Sequence, residues 1–194
     1  MVEYDAHTAL IAVDVQNDFA DPRGSLSVRD GAAVVPVVNT EIERALAAAA
    51  LVVYTQDWHP ETTPHFAKDG GIWPVHCVHD TWGAEFHPDL RVEGPTVRKG
   101  VDGHDGYSGF SVRDPRSGDV SATELGSLLT EHHIQRVVIA GLATDYCVVE
   151  TVLDARRLGL DAVVLLRGIR AVDLESGDGE RALERIRAAG AEVV

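Results

Sequence analysis

Short uninterrupted runs of small and β-branched apolar residues alternate with amphipathic stretches along this chain, and that alternation limits it to one fold class. The first run is Thr8-Ala9-Leu10-Ile11-Ala12-Val13, the pattern of a central parallel strand covered on both faces. Runs at residues 51–55, 96–98, 136–142, 162–166 and 191–194 read as five further strands. Between them, Val35, Val38, Ile42, Leu46 and Ala49 keep helical spacing within residues 32–49, with Glu41, Glu43 and Arg44 on the outer face. Pro36 must then lie in the first turn of that helix or kink it. Leu125, Leu128 and Leu129 mark a second helix, Val148, Val152 and Ala155 a third stopped by Gly159, and Ala182, Ile186 and Ala189 the last. The expectation is an α/β fold: a single-domain three-layer sandwich over residues 1–194, with a six-stranded, largely parallel sheet and helices on both faces. A chain of 194 residues is long enough for one real core, and no repeat or linker divides it.

Charge narrows the partners. Seventeen basic against thirty-one acidic side chains give a net charge of −14. Nucleic acids and anionic membrane surfaces require a basic footprint, so neither is an expected partner. No run approaches the roughly 18 apolar residues of a membrane span. The start, Met1-Val2-Glu3-Tyr4-Asp5, has neither a basic segment nor a secretory apolar core. Two cysteines without framework spacing fit a reducing cytoplasm. The composition leaves a homo-oligomer open.

In parallel α/β sheets, ligands bind outside the carboxyl ends of the strands, so the residues expected just past those ends carry the chemistry: Asp14, Asp57, Lys99 and Cys147. Cys147 follows the 136–142 strand and the cap-rich segment Ala143-Thr144-Asp145-Tyr146, and the helical pattern begins with it. In the first turn of a helix, a cysteine feels the positive end of the macrodipole, which favours thiolate and lowers the expected thiol pKa. The free N–H groups of the same turn can hold an oxyanion. Taken singly, Cys147 could be a buried helix residue, Asp14 a turn cap and Lys99 a surface lysine. Converging at one sheet edge, they make a cysteine hydrolase: Asp14 takes the thiol proton, and Lys99 holds Asp14 and adds positive charge.

Residues 57–94 show no periodicity, yet hold all three Trp and His59, His65, His76, His79 and His87. So long a loop in a compact domain is usually functional or disordered, and its load of aromatics and imidazoles favours function. Asp57-Trp58-His59, His65 and His76 supply one carboxylate and two or three imidazoles, a donor set for a divalent transition metal such as zinc, iron or manganese. His79, His87 and His104 are read as non-ligands. Residues 100–119 read as a second polar, glycine-rich loop.

Six segments in order resemble the bacterial nicotinamidases of the isochorismatase-like cysteine hydrolase superfamily: Asp14-Val15-Gln16-Asn17-Asp18-Phe19, Gln56-Asp57-Trp58-His59-Pro60, Trp73-Pro74-Val75-His76-Cys77-Val78, Lys99-Gly100, Tyr107-Ser108-Gly109-Phe110, and Gly141-Leu142-Ala143-Thr144-Asp145-Tyr146-Cys147-Val148. The Asp, Lys, Cys set belongs to the superfamily; the Asp-x-His and Trp-Pro-x-His-Cys-Val pair narrows it. The resemblance implies strand order 3-2-1-4-5-6 and hydrolysis of nicotinamide to nicotinate and ammonia, in NAD salvage. It implies Asp14, Lys99 and Cys147 as catalytic residues, with the backbone N–H groups of Ala143 and Cys147 as oxyanion hole after a cis Leu142–Ala143 peptide. It implies Phe19, Trp73, Tyr107 and Leu142 as substrate-binding residues. It further implies Asp57, His59 and His76 as ligands of one divalent metal, zinc before iron or manganese. His65 stands where many relatives have Ser; in others a His there is a further ligand, which leaves His65 open. The polar segment between Lys99 and Tyr107, with Asp102, His104 and Asp105, departs from the pattern. Two other readings share the fold: a metal-free amidohydrolase, and a binding protein without catalysis.

Overall fold

In the computed structural model, which describes residues 2–194, a six-stranded sheet runs through the middle of the molecule. Its strands are β1 (Thr8–Val13), β2 (Leu51–Asp57), β3 (Thr96–Lys99), β6 (Arg136–Leu142), β7 (Asp161–Arg170) and β8 (Glu192–Val193). The order is β3-β2-β1-β6-β7-β8, and every pairing is parallel. Counting sheet strands alone, this is 3-2-1-4-5-6. The chain winds outward from β1 to β3, then restarts at β6 on the other side of β1. The point where the winding reverses therefore lies between β1 and β6, which is where such sheets open a crevice for ligands.

Strict alternation along the central strands builds two cores. Leu10 and Ala12 of β1, with Val138 and Ala140 of β6, face helix α2 (Val34–Ala47) through Val34, Val38 and Ile42. Ala9, Ile11 and Val13, with Val137 and Ile139, face helices α3 (Leu125–Glu131), α4 (Val149–Arg157) and α5 (Asp178–Ala188). The result is three layers, as the apolar pattern implied. A four-residue helix α1 (Asn17–Ala20) follows β1. Pro36 does lie in the first turn of α2. Among the described residues, no helix is long and apolar enough to cross a membrane.

Four details differ from the sequence reading. Residues 100–119 are not wholly loop: β4 (Ser111–Arg113) pairs antiparallel with β5 (Val120–Ala122). Both strands are short and exposed or half-buried, so no apolar alternation announced them. Strand β2 extends to Asp57, and Asp57 and Lys99 are the last residues of their strands, not residues beyond them. Strand β7 runs four residues past its apolar stretch, through a register shift opposite Ile139 and Gly141. The helical segment after β6 begins at Thr144 as a single π turn, Thr144–Val148, and becomes α-helical at Val149; Cys147 sits inside the turn instead of opening a helix.

The close approach of β1 to β6 depends on one glycine. Gly141 has φ +122, and a Cβ there would lie 2.0 Å from the Val13 carbonyl oxygen. Only a residue without a side chain allows that contact.

Candidate active site

Parallel register brings the chemical groups together. Val13 pairs with Thr55 and Gly141, so Asp14, Thr55 and the residues after β6 meet at one edge. Asp14 turns out of β1 with φ +47 and is wholly buried. Thr55 Oγ1 donates to Asp14 Oδ1 at 2.6 Å. Asp57 and Lys99 are direct partners in the β2–β3 register, and the Lys99 ammonium bonds the Asp57 carboxylate. The same ammonium lies 2.8 Å from Asp14 Oδ2 and 3.4 Å from Cys147 Sγ. Oδ2 of Asp14 has an ion-pair neighbour at that distance but no donor aligned for a hydrogen bond, which leaves a lone pair able to accept a proton. Asp14, Asp57 and Cys147 bring their oxygen and sulfur atoms within 4.8 Å of one another.

Burial dominates the ionisation here. It pushes the Cys147 thiol well above its ordinary range, and the opposing pull of Lys99 does not offset it. This corrects the thiolate expected from the helix position: desolvating an anion in a closed site outweighs a nearby cation and a partial helix charge. Burial also raises the Asp14 carboxyl, against the lowering effect of Lys99. Burial opposes ionisation of Asp57 as well, but Lys99 and the imidazoles overcome it and hold that carboxyl far below the usual range. Lys99 stays charged because Asp14 and Asp57 together exceed its own burial cost. The resting state is a neutral thiol beside an ammonium–carboxylate pair, with a second carboxyl easily protonated. Moving one proton from the Cys147 sulfur to Asp14 would leave the net buried charge unchanged.

Backbone donors complete the corner. The peptide Leu142–Ala143 is cis. The Ala143 carbonyl accepts the N–H groups of Tyr146 and Val148 and passes over that of Cys147. Ala143 and Cys147 both line a cleft with Phe19, Trp73, Tyr107 and Asp57. Trp73 Nε1 donates to the Tyr107 hydroxyl at 3.0 Å, and Tyr146 packs edge-on against both rings. Leu142 belongs elsewhere: its side chain is fully buried in the core beneath α2 and does not reach the cleft, because alternation in β6 points it to that face. Leu26, Gly106, Tyr146 and Val172 line the cleft although the sequence reading did not select them. Val172 is pinned there by Asp145, whose carboxylate accepts the N–H groups of Val172 and Asp173 at 3.0 and 2.8 Å.

Three imidazoles converge on the other side of Asp57. His59, His65 and His76 are buried, with ring nitrogens within 4.8 Å of one another. Asp57 Oδ2 stands 3.8 and 3.9 Å from the Nε2 atoms of His59 and His76. His65 is thus an equal member of the cluster. Two isolated bridges hold these residues on an otherwise irregular loop: His59 pairs with Val78, and Phe66 with Trp73. Gln16 ties the end of β2 to that loop, accepting from Asp57 N–H at 2.9 Å and donating to the Ala84 carbonyl at 2.9 Å. Asp18 accepts the Cys77 N–H at 2.7 Å, next to His76. Gly100, at φ +80, leaves room for the His59 ring; a Cβ there would lie 2.5 Å from His59 Nδ1.

The cluster has the chemistry of a metal site. Both ring nitrogens of His59 are buried without a hydrogen-bond partner, a costly state unless an electron-pair acceptor takes one. Burial lowers His76 to about 4, so it is a neutral imidazole near pH 7, and its Nδ1 faces the Pro74 carbonyl at 2.8 Å. A carbonyl only accepts, so the Nε2 lone pair points inward. Three imidazoles and one carboxylate fit a divalent transition ion. His79, His87 and His104 lie outside the cluster.

A doubly wound sheet whose switch point joins a thiol, a carboxylate and an ammonium, with backbone N–H groups beside the sulfur, has the groups that a hydrolase acting on a carbonyl group requires. The isochorismatase domain family matches residues 8–194, and the chain belongs to it. It is 36% identical to a nicotinamidase of Escherichia coli (strain K12), over 94% of this chain and 92% of that one. A solved pyrazinamidase of Pyrococcus horikoshii in complex with zinc is 38% identical, with TM-score 0.86 over 97% of this chain and 98% of that one. PnC1 from L. infantum in complex with nicotinate is 34% identical, with TM-score 0.88 over 100% of this chain and 95% of that one.

Proposed function

We propose that this chain is a nicotinamidase, hydrolysing nicotinamide to nicotinate and ammonia and so returning the pyridine ring to NAD synthesis. The observation that carries the reading is the single cleft on which both the Cys147 corner and the imidazole cluster open, walled by Phe19, Trp73 and Tyr107. Aromatic walls of this kind suit a flat aromatic amide, whose carboxamide would lie at the sulfur and whose ring would lie between the aromatic side chains.

Asp14 takes the proton from the Cys147 thiol as sulfur attacks the carboxamide carbon. The oxygen, now negative, is held by the N–H groups of Ala143 and Cys147. Lys99 keeps Asp14 placed and balances the buried charge while the proton moves. Asp14 then gives that proton to the departing ammonia, leaving a thioester. The same carboxylate draws a proton from water as it attacks the thioester, and nicotinate and the free thiol result. Asp57, His59, His65 and His76 would hold one divalent ion, zinc before iron or manganese. Bound there, the ion supplies a Lewis-acid anchor for the pyridine nitrogen, a placement role.

Ammonia release from nicotinamide by the purified zinc-loaded protein tests the reading, with Cys147→Ala as control. Turnover that needs Cys147 supports it. A folded, zinc-loaded protein that releases no ammonia from nicotinamide overturns it.

A further inference from the structure

The polar segment between Lys99 and Tyr107 sends one carboxylate to the imidazole cluster. Asp105 Oδ1 lies 2.8 Å from His65 Nδ1, and Asp105 Oδ2 lies 3.4 Å from Arg113 Nη2 in β4. A carboxylate can only accept, so His65 carries its proton on Nδ1 and keeps the Nε2 lone pair for the cluster. The three imidazoles are held differently. His76 leans on the Pro74 carbonyl, the Nδ1 of His59 has no partner, and His65 bonds a charged group from a distant segment.

The carboxylate is not alone in holding its own loop. Asp105 N–H donates to the Arg113 carbonyl at 2.7 Å, and Arg113 N–H donates to the Asp105 carbonyl at 2.6 Å. That bridge ties the segment to the hairpin through backbone alone. The side chain also accepts the adjacent Gly106 N–H at 2.8 Å, a bond within the turn.

We infer that Asp105 is a positioning residue for the metal site, fixing the tautomer and ring orientation of His65 so that Nε2 is presented to the ion shared with His59 and His76. The inference rests on reading the cluster as a metal site. It makes the β4–β5 hairpin part of that site through Arg113, although no hairpin residue reaches the imidazoles.

The test is a double-mutant cycle read as metal affinity, without substrate. Zinc affinity is measured by competition with a chromophoric chelator, and the absorption spectrum of the cobalt-loaded protein is recorded. The proteins are wild type, Asp105→Ala, Asp105→Asn, His65→Ala and the Asp105→Ala/His65→Ala pair. Asp105→Ala is expected to weaken zinc roughly 10- to 100-fold, the usual cost of losing a partner behind a ligating His. Asp105→Asn should lose less, because its amide oxygen still accepts from Nδ1. In the His65→Ala background, Asp105→Ala should change affinity less than about threefold, since the ligand it acts through is gone. The cobalt spectrum of Asp105→Ala should move toward that of His65→Ala. Unchanged zinc affinity in Asp105→Ala overturns the inference. So does an equal loss in both backgrounds, which would place the effect in loop structure and not in His65. A wild type that binds neither zinc nor cobalt overturns the metal reading itself, an outcome distinct from a failure confined to Asp105.

Discussion

The two halves of the cleft are built by different means. The nucleophile corner hangs on the ends of parallel strands: Asp14 after β1, Lys99 at the end of β3, Cys147 five residues past β6. Their mutual distances follow from sheet register. The imidazole cluster hangs on residues 58–95, where three isolated bridges and buried bonds from Gln16 and Asp18 replace a ladder. The corner is also charged, with an ammonium shared by two carboxylates, whereas the cluster is composed of imidazoles meeting at one of those carboxylates. Reacting atoms need the tighter scaffold. A set of metal donors can gather on a loop because a bound ion supplies part of the ordering energy.

The largest effect that separates the halves is on stability. Lys99→Met removes the cation between two buried carboxylates, and leaving such charge uncompensated costs about 3–5 kcal/mol. Urea unfolding should show that loss; a change under about 1 kcal/mol would mean that strand register alone holds the corner. Next is turnover. Cys147→Ala should lower kcat more than about a hundredfold, roughly 2.7 kcal/mol of barrier, with fold and zinc content unchanged. Lost zinc in this variant would mean that the two halves are not separable.

A ligand tests the comparison from the other side. Benzamide buries the same ring area as nicotinamide but lacks the ring nitrogen. If the cluster holds that nitrogen, kcat/KM for benzamide should fall about a hundredfold; values within about threefold would remove the cluster from substrate placement. His76→Ala should weaken zinc by roughly tenfold or more while the protein stays folded. Unaltered zinc affinity would take His76 out of the ligand set.

The smallest effect is a shift in pH. The proposed reaction needs Asp14 ionised to accept the thiol proton, and burial raises its carboxyl. Activity is therefore lost as pH falls through that raised value, and the acid limb of kcat/KM should lie above the roughly 3.9 of an ordinary Asp. A limb at or below the ordinary value would mean that the Lys99 charge, not burial, governs the corner. For the same reason, Cys147 in the folded protein should alkylate with iodoacetamide more slowly at pH 7 than an exposed thiol.

Apolar runs such as Thr8–Val13 and Arg136–Leu142 determined from sequence alone that the sheet is parallel and covered on both faces, because burial on two sides demands continuous apolar strands. Polar residues at the ends of those runs marked Asp14, Lys99 and Cys147, since a strand that stops at a charged or reactive side chain in such a sheet stops at its ligand edge. Spacing could also gather His59, His65 and His76 as donors. Where the determining contact joins segments with no periodic relation, only the tertiary structure decided. Leu142, expected at the cleft, lies in the core, and Val172, which no pattern marked, lines the cleft, through strand alternation and the Asp145 bonds. The β4–β5 hairpin is too short and too exposed to leave an apolar trace, yet it carries the Arg113 that faces Asp105. The ionisation of Cys147 reversed its expected direction, because a sequence places a cysteine near a helix start but contains no measure of how completely the folded chain excludes water from it.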